Sequence, residues 1–199
     1  YPGTTEPMAL ESLDYSLVAR AFEINAVGPL RLTETCLKQG LLGTGAKIAF
    51  VSSKLGSVAS NTQLGANYAY RMSKSALNAA GRSLAVDLRP KGMSVVLLHP
   101  GYVATPMTGD RGDVVAAVSA AGLFRRIAAL NASASGSFID YDGRQVPWEY
   151  YKLTRRGAGP RAAARPRSRA ARAATPRSAR GRGPRSSASL GILGSGGLP

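Results

Sequence analysis

Residues 68–101 read YAYRMSKSALNAAGRSLAVDLRPKGMSVVLLHPG, and how this stretch divides decides the fold. Tyr68 to Leu88 is alanine-rich and ends on Arg89-Pro90-Lys91-Gly92, so it reads as a helix that proline cannot continue. Met93 to Leu98 (MSVVLL) is a short, continuously apolar run broken by Pro100-Gly101. Such a run reads as a strand covered on both faces.

The same alternation extends in both directions. Upstream, Leu13, Val18, Ala21, Phe22, Ile24, Val27, Leu30, Leu32 and Leu37 suit the apolar side of a long helix closed by Gly40. Residues 1–13 lead into it as a loop and helix start, punctuated by Pro7 and Ser12. Ala46 to Ser52 (AKIAFVS) is a second apolar strand, again expected to be covered on both faces, and a polar loop from Ser53 to Asn67 follows. Downstream, residues 113–130 predict a third helix, Gly136 to Tyr141 (GSFIDY) a last short strand, and Asp142-Gly143 a turn. Helices and apolar strands in strict alternation argue an α/β fold around a parallel sheet.

The charge is unevenly spread. Of 26 basic residues, Lys152 and eleven arginines fall in residues 151–199, which hold none of the 11 acidic ones. The net charge of +15 is therefore +12 from the end of the chain and +3 from residues 1–150. From Gly157 onward the chain is mostly Arg, Ala, Pro, Ser and Gly, with few large apolar residues. Too little apolar surface is present to offset the entropy of ordering it, so residues 151–199 are expected to be a disordered basic tail. The tail could contact nucleic acid or acidic partners, but without interleaved aromatics any such binding would be non-specific. A segment with no selected role is the favoured reading.

A single cysteine, Cys36, excludes an internal disulfide, and its helical setting predicts a buried, inert thiol. No apolar run has the length of a membrane span, and a cytoplasmic protein is expected. The chain begins on Tyr1-Pro2-Gly3 and reads as an internal part of a longer protein. Arg111-Gly112-Asp113 spells an adhesion tripeptide and Asn131-Ala132-Ser133 a glycosylation sequon, but both matter only in a secreted protein. His99 stands before a turn with no cluster of partners, so it reads as a packed histidine and no metal site is expected.

Tyr70 and Lys74 are a candidate chemical pair. Residues four apart share a helix face, whereas Tyr68 would pair with Met72. A phenol titrates near pH 10, and a cation held close would lower that value by roughly one to three units. It would then suit general acid–base catalysis. Taken alone the spacing is common and an idle surface pair would explain it.

The surrounding segments change that balance. KIAFVSSKLGS, then YAYRMSKSALNAAGRSLAVDL, then MSVVLLHPGYVATPM run in the order strand, serine loop, helix, strand, Pro-Gly turn. In this order the chain resembles the short-chain dehydrogenase/reductase superfamily, and its wording is similar to the carbonyl reductases of the sniffer-type and C-factor-like subgroup. GSFIDYDGRQVPW is similar to the end of that subgroup's domain. The resemblance covers residues 1–150.

The resemblance implies four catalytic residues. Tyr70 would give its proton to a carbonyl oxygen, and Lys74 would lower the tyrosine's pKa and hold the nicotinamide ribose. Ser53 would orient the carbonyl, with Ser52 and Ser57 as alternatives, and Asn25 would help hold a water relay to the lysine. Tyr70, Lys74, Pro100, Gly101, Val103 and Thr105 would contact the cofactor, NADP or else NAD, while a small carbonyl compound serves as substrate. The two long helices could join two copies of the chain.

One family feature has no counterpart in these residues. No glycine-rich turn follows an apolar strand and opens a helix, and no Asn-Asn-Ala-Gly segment occurs. The expected architecture is thus part of a Rossmann-like, doubly wound sheet lacking its N-terminal half, with about three strands of the usual seven. The strand at residues 46–52 would then present an open apolar edge.

Overall fold

The computed structural model describes residues 10–62 and 65–148. The basic tail expected over 151–199 lies outside the described residues, as do the first nine and the edges of the 1–150 domain. Within the described residues an α/β architecture forms around one parallel sheet of three strands.

The first helical stretch opens where Asp14 accepts hydrogen bonds from the backbone N–H of Ser16 (2.8 Å) and Leu17 (3.4 Å). This is how an aspartate N-cap satisfies donors that have no intrahelical partner. Helix α1 (Tyr15–Phe22) passes through a wide π-type turn (Glu23–Val27) into α2 (Gly28–Lys38). The single long helix read from the sequence is therefore continuous but widened at its middle. The physical reason is Pro29: it has no N–H to give the Asn25 carbonyl, and its ring would crowd that group in a regular α-helix. Gly40 closes the stretch in the left-handed region at φ 69°.

Strand β1 (Lys47–Val51) follows, then the serine loop and α3 (Tyr68–Leu88), which matches its predicted span. Strand β2 (Ser94–His99), helix α4 (Ala116–Ala129) and strand β3 (Ser137–Asp140) complete the described fold. The strands lie side by side in chain order, Phe50 opposite Leu97 and Leu97 opposite Phe138.

The core is built on β2, where Val95, Val96, Leu97 and Leu98 are each fully buried. Side chains alternate between faces along a strand. Val95 packs with Ala26 and with Leu77, Ala85 and Leu88 of α3. Val96 and Leu98 turn the other way, onto Leu123, Ile127 and Leu130. Helices thus cover both faces, as the doubly wound reading requires, and each such side chain contributes roughly 1.5–3 kcal/mol. Gly81 permits the close approach: a Cβ there would come within 3.0 Å of the Leu97 side chain.

Strand β1 departs from expectation. The open edge expected of it is present, but the expected cover on both faces is not: only Phe50 in it is buried, and Lys47 and Val51 are exposed. It is an edge of the sheet among the described residues. A groove of about 510 Å³ runs beside it, lined by Ile48, Phe50 and Val51 and by Asn25, Leu32 and Lys74.

Candidate active site

The serine loop, the first turns of α3 and the turn after β2 converge at the carboxyl ends of the strands. In open α/β sheets this is where ligands bind. The loop is fastened there by buried polar contacts. Ser52 donates from Oγ to Asn78 Oδ1 at 2.6 Å, and Asn78 donates from Nδ2 to the Gly56 carbonyl at 3.1 Å. Ser57 donates to the Pro147 carbonyl. Both alternatives to Ser53 are therefore spent on holding the loop. Gly56 has no room for a side chain, since a Cβ would lie 2.8 Å from the carbonyl carbon of Lys74.

Ser53 is left facing the cleft. Its hydroxyl accepts the Leu55 N–H at 3.2 Å, and it lies near enough to the Tyr70 phenol to favour the ionised form. Tyr70 is half-buried in the first turn of α3, one turn before Lys74. The lysine ammonium lies 5.7 Å from the centroid of the Tyr70 ring and donates to the Val51 carbonyl at 3.1 Å. Sequence spacing foresaw this pairing, but its electrostatics differ from expectation. Burial raises the pKa of Tyr70 above its ordinary 10.0, and only the nearby Ser53 hydroxyl pulls it down. The ammonium addresses the strand carbonyl and the ring, not the phenol oxygen. Burial likewise pushes the Lys74 ammonium below its ordinary 10.5.

Asn25 sits in the wide turn and donates from Nδ2 to Ser73 Oγ at 3.1 Å, while Ser73 donates to the Tyr70 carbonyl at 2.9 Å. Asn25 thus reaches the tyrosine's backbone through a fully buried serine. It faces the groove beside β1 together with Lys74, whereas Tyr70 and Ser53 face the larger cleft.

That cleft, about 1240 Å³, runs from Ser53 and Tyr70 to Pro100, Gly101, Val103 and Thr105. Gly101 adopts φ 87°, a conformation that favours glycine, and a Cβ on it would come within 2.9 Å of the Tyr141 ring. Thr105 and Thr108 cap one another's backbone, which fixes the segment that follows. Leu17, Ala21, Met107 and Leu123 make the remaining wall largely apolar, with Lys54 and Arg111 as the charged residues on it. A cleft this wide, with hydroxyls on one side and a glycine turn on the other, has room for a small organic molecule.

Sequence reading did not single out Ser73 or Asn78. Ser73 and Asn78 are polar residues at helix-interior positions, a placement that usually needs a buried partner. His99 was read as merely packed, and it lines the cleft. Among the described residues no group of acidic, histidine and cysteine side chains could hold a metal.

A tyrosine, its lysine one turn on and a loop serine stand near one another at the carboxyl edge of the parallel sheet. A family model described as short chain dehydrogenase matches residues 3–116, and the chain belongs to that family. It is 51% identical over 140 residues to C-signal of Myxococcus xanthus, covering 70% of this chain and 84% of the relative. It is 43% identical to 1-hydroxy-2-glutathionyl-2-methyl-3-butene dehydrogenase of Rhodococcus sp. (strain AD45), covering 69% of this chain and 61% of that one. In structure it is similar to the carbonyl reductase Sniffer of D. melanogaster, with TM-score 0.66, 34% identity and coverage of 74% and 64%. An NADPH-bound carbonyl reductase from chicken fatty liver gives TM-score 0.65 and 28% identity, with coverage of 74% and 64%. The chain thus spans under two thirds of the length of these two structures.

Proposed function

We propose that the chain carries the proton-donating part of an NADP-dependent carbonyl reductase. The observation that supports it best is that Ser53 and Tyr70 stand together on the wall of the cleft, with Lys74 one helical turn along from the tyrosine. The NADPH-bound relative speaks for the cofactor, and the carbonyl reductases among the similar structures speak for the substrate class.

NADPH, when bound, supplies the hydride. Ser53 hydrogen-bonds the substrate's carbonyl oxygen and holds it beside the Tyr70 hydroxyl. Tyr70 donates its proton to that oxygen as negative charge develops on it. The raised pKa suits this direction, because the phenol stays protonated at neutral pH and an alkoxide is a far stronger base. Lys74 keeps positive charge at the strand end, and Pro100, Gly101, Val103 and Thr105, which line the cleft, would hold the cofactor. The 199 residues contain no glycine-rich turn opening a helix, so the pyrophosphate lacks that berth within them and the chain alone should hold NADPH weakly.

The rival reading, a non-catalytic protein working through its basic tail, rests on residues outside the described ones, whereas the family match falls on the catalytic segments. In the assay that separates them, NADPH consumption with an aldehyde is followed at high cofactor concentration. Tyr70→Phe is expected to lower the rate at least about a hundredfold. Equal consumption by both chains sinks the reading. With its pKa raised, Tyr70 should cause no loss of rate until the pH passes 10.0. A fluorescence titration that saturates at micromolar NADPH would overturn the weak-binding claim alone.

A further inference from the structure

The parallel ladder between β1 and β2 ends in an unusual way. Ser52 N–H donates to the Leu98 carbonyl at 2.7 Å, so the next rung of a regular ladder would run from Lys54 N–H to the Pro100 carbonyl. That carbonyl instead accepts the Ser119 hydroxyl at 2.6 Å. The Lys54 N–H donates to the imidazole Nδ1 of His99 at 3.2 Å. A side chain replaces a backbone group as the last rung.

We propose that His99 is a positioning residue: its neutral imidazole anchors the Ser53-Lys54 loop to the end of β2, and protonating it releases that anchor. Accepting at Nδ1 places the ring proton on Nε2, and a doubly protonated ring has no lone pair left for the Lys54 amide. The anchor holds the residue next to Ser53, whose hydroxyl lies near Tyr70, so the device rests on the reading of those two residues as the site. His99 also lines the cleft.

The charged groups that act on His99 are Lys54 on the loop and Asp140 and Asp142 on β3 and its turn, and Tyr70 lines the same cleft. Burial lowers the His99 pKa, Asp140 opposes this, Lys54 adds to it, and Asp142 opposes it again. With the net shift downward, the anchor is complete above the ordinary histidine value of 6.5 and is lost as the pH falls below it through the ring's own lower value.

The protein has one histidine, so its ring resonance is unambiguous. In a nitrogen-15 NMR titration of the whole chain, the Lys54 amide should move with the same midpoint as the ring while the Ser52 amide stays still. His99→Ala should speed hydrogen exchange at Lys54 about fivefold, the effect of losing one ordinary hydrogen bond. His99→Asn, whose side-chain oxygen can accept the same amide, should restore protection but remove the pH response. A Lys54 amide that ignores the ring's titration, or keeps its protection in His99→Ala, overturns the proposal. The wild-type titration decides the matter should a variant fail to fold. No turnover is needed: absent reductase activity would count against the enzymatic reading and leave this measurement intact.

Discussion

Strands β1 and β2 are neighbours in one parallel sheet, and both are short apolar runs. Their surroundings differ sharply. Four successive residues of β2 have no exposed surface, whereas Val51 at the end of β1 is 53% exposed. The difference lies in what flanks them: β2 has a strand on each side and helices on both faces, and β1 has a strand on one side only among the described residues. Apolar character tells what a strand needs to bury against. Whether the partner is in place is a separate matter.

The sharpest way to break the comparison is to carve into the centre of β2. Leu97→Ala removes a fully buried side chain packed against Phe138 and Val146 and should cost about 3 kcal/mol in urea unfolding. A cost near zero would mean that β2 is not the core. Gly56→Ala comes next, at about 2 kcal/mol, because the loop would have to lift off the Lys74 backbone. It should also weaken any reductase activity by moving Ser53, which a stability loss without an activity loss would contradict.

The smallest effect comes from asking the same question of both strands. Val96→Thr puts a hydroxyl into packed apolar surroundings and should cost about 1–2 kcal/mol. Val51→Thr places the same hydroxyl where water can reach it and should change stability by less than about 0.5 kcal/mol. Equal costs at the two positions would show that β1 is as well covered as β2.

The order of elements was legible because each carries its own local signal. The α3 boundaries followed from a helical run stopped by Pro90 and Gly92, and the Tyr70–Lys74 pairing followed from helical spacing. Ser53 could be placed only by resemblance, since three serines stand within five residues of one another. Hydrogen bonding then separates them, because Ser52 and Ser57 are committed to Asn78 and Pro147. The wide turn at Asn25 was missed as geometry, although Pro29 four residues on announces a break in the backbone pattern. The direction of the Tyr70 shift was also missed. Spacing counts the neighbouring cation but not the solvent stripped from the phenol, and here the desolvation dominates.

The sequence by itself determined the alternation of helices and strands, the parallel sheet and the face shared by Tyr70 and Lys74. All of these arise from periodicity and from residues that start or stop the chain's local geometry. Tertiary structure alone decided which serine is free, where the lysine's charge points, how much of β1 is covered, and that His99 ends a ladder. Those depend on partners dozens of positions away, and a hydrogen bond or a desolvated ring exists only once the distant group has arrived.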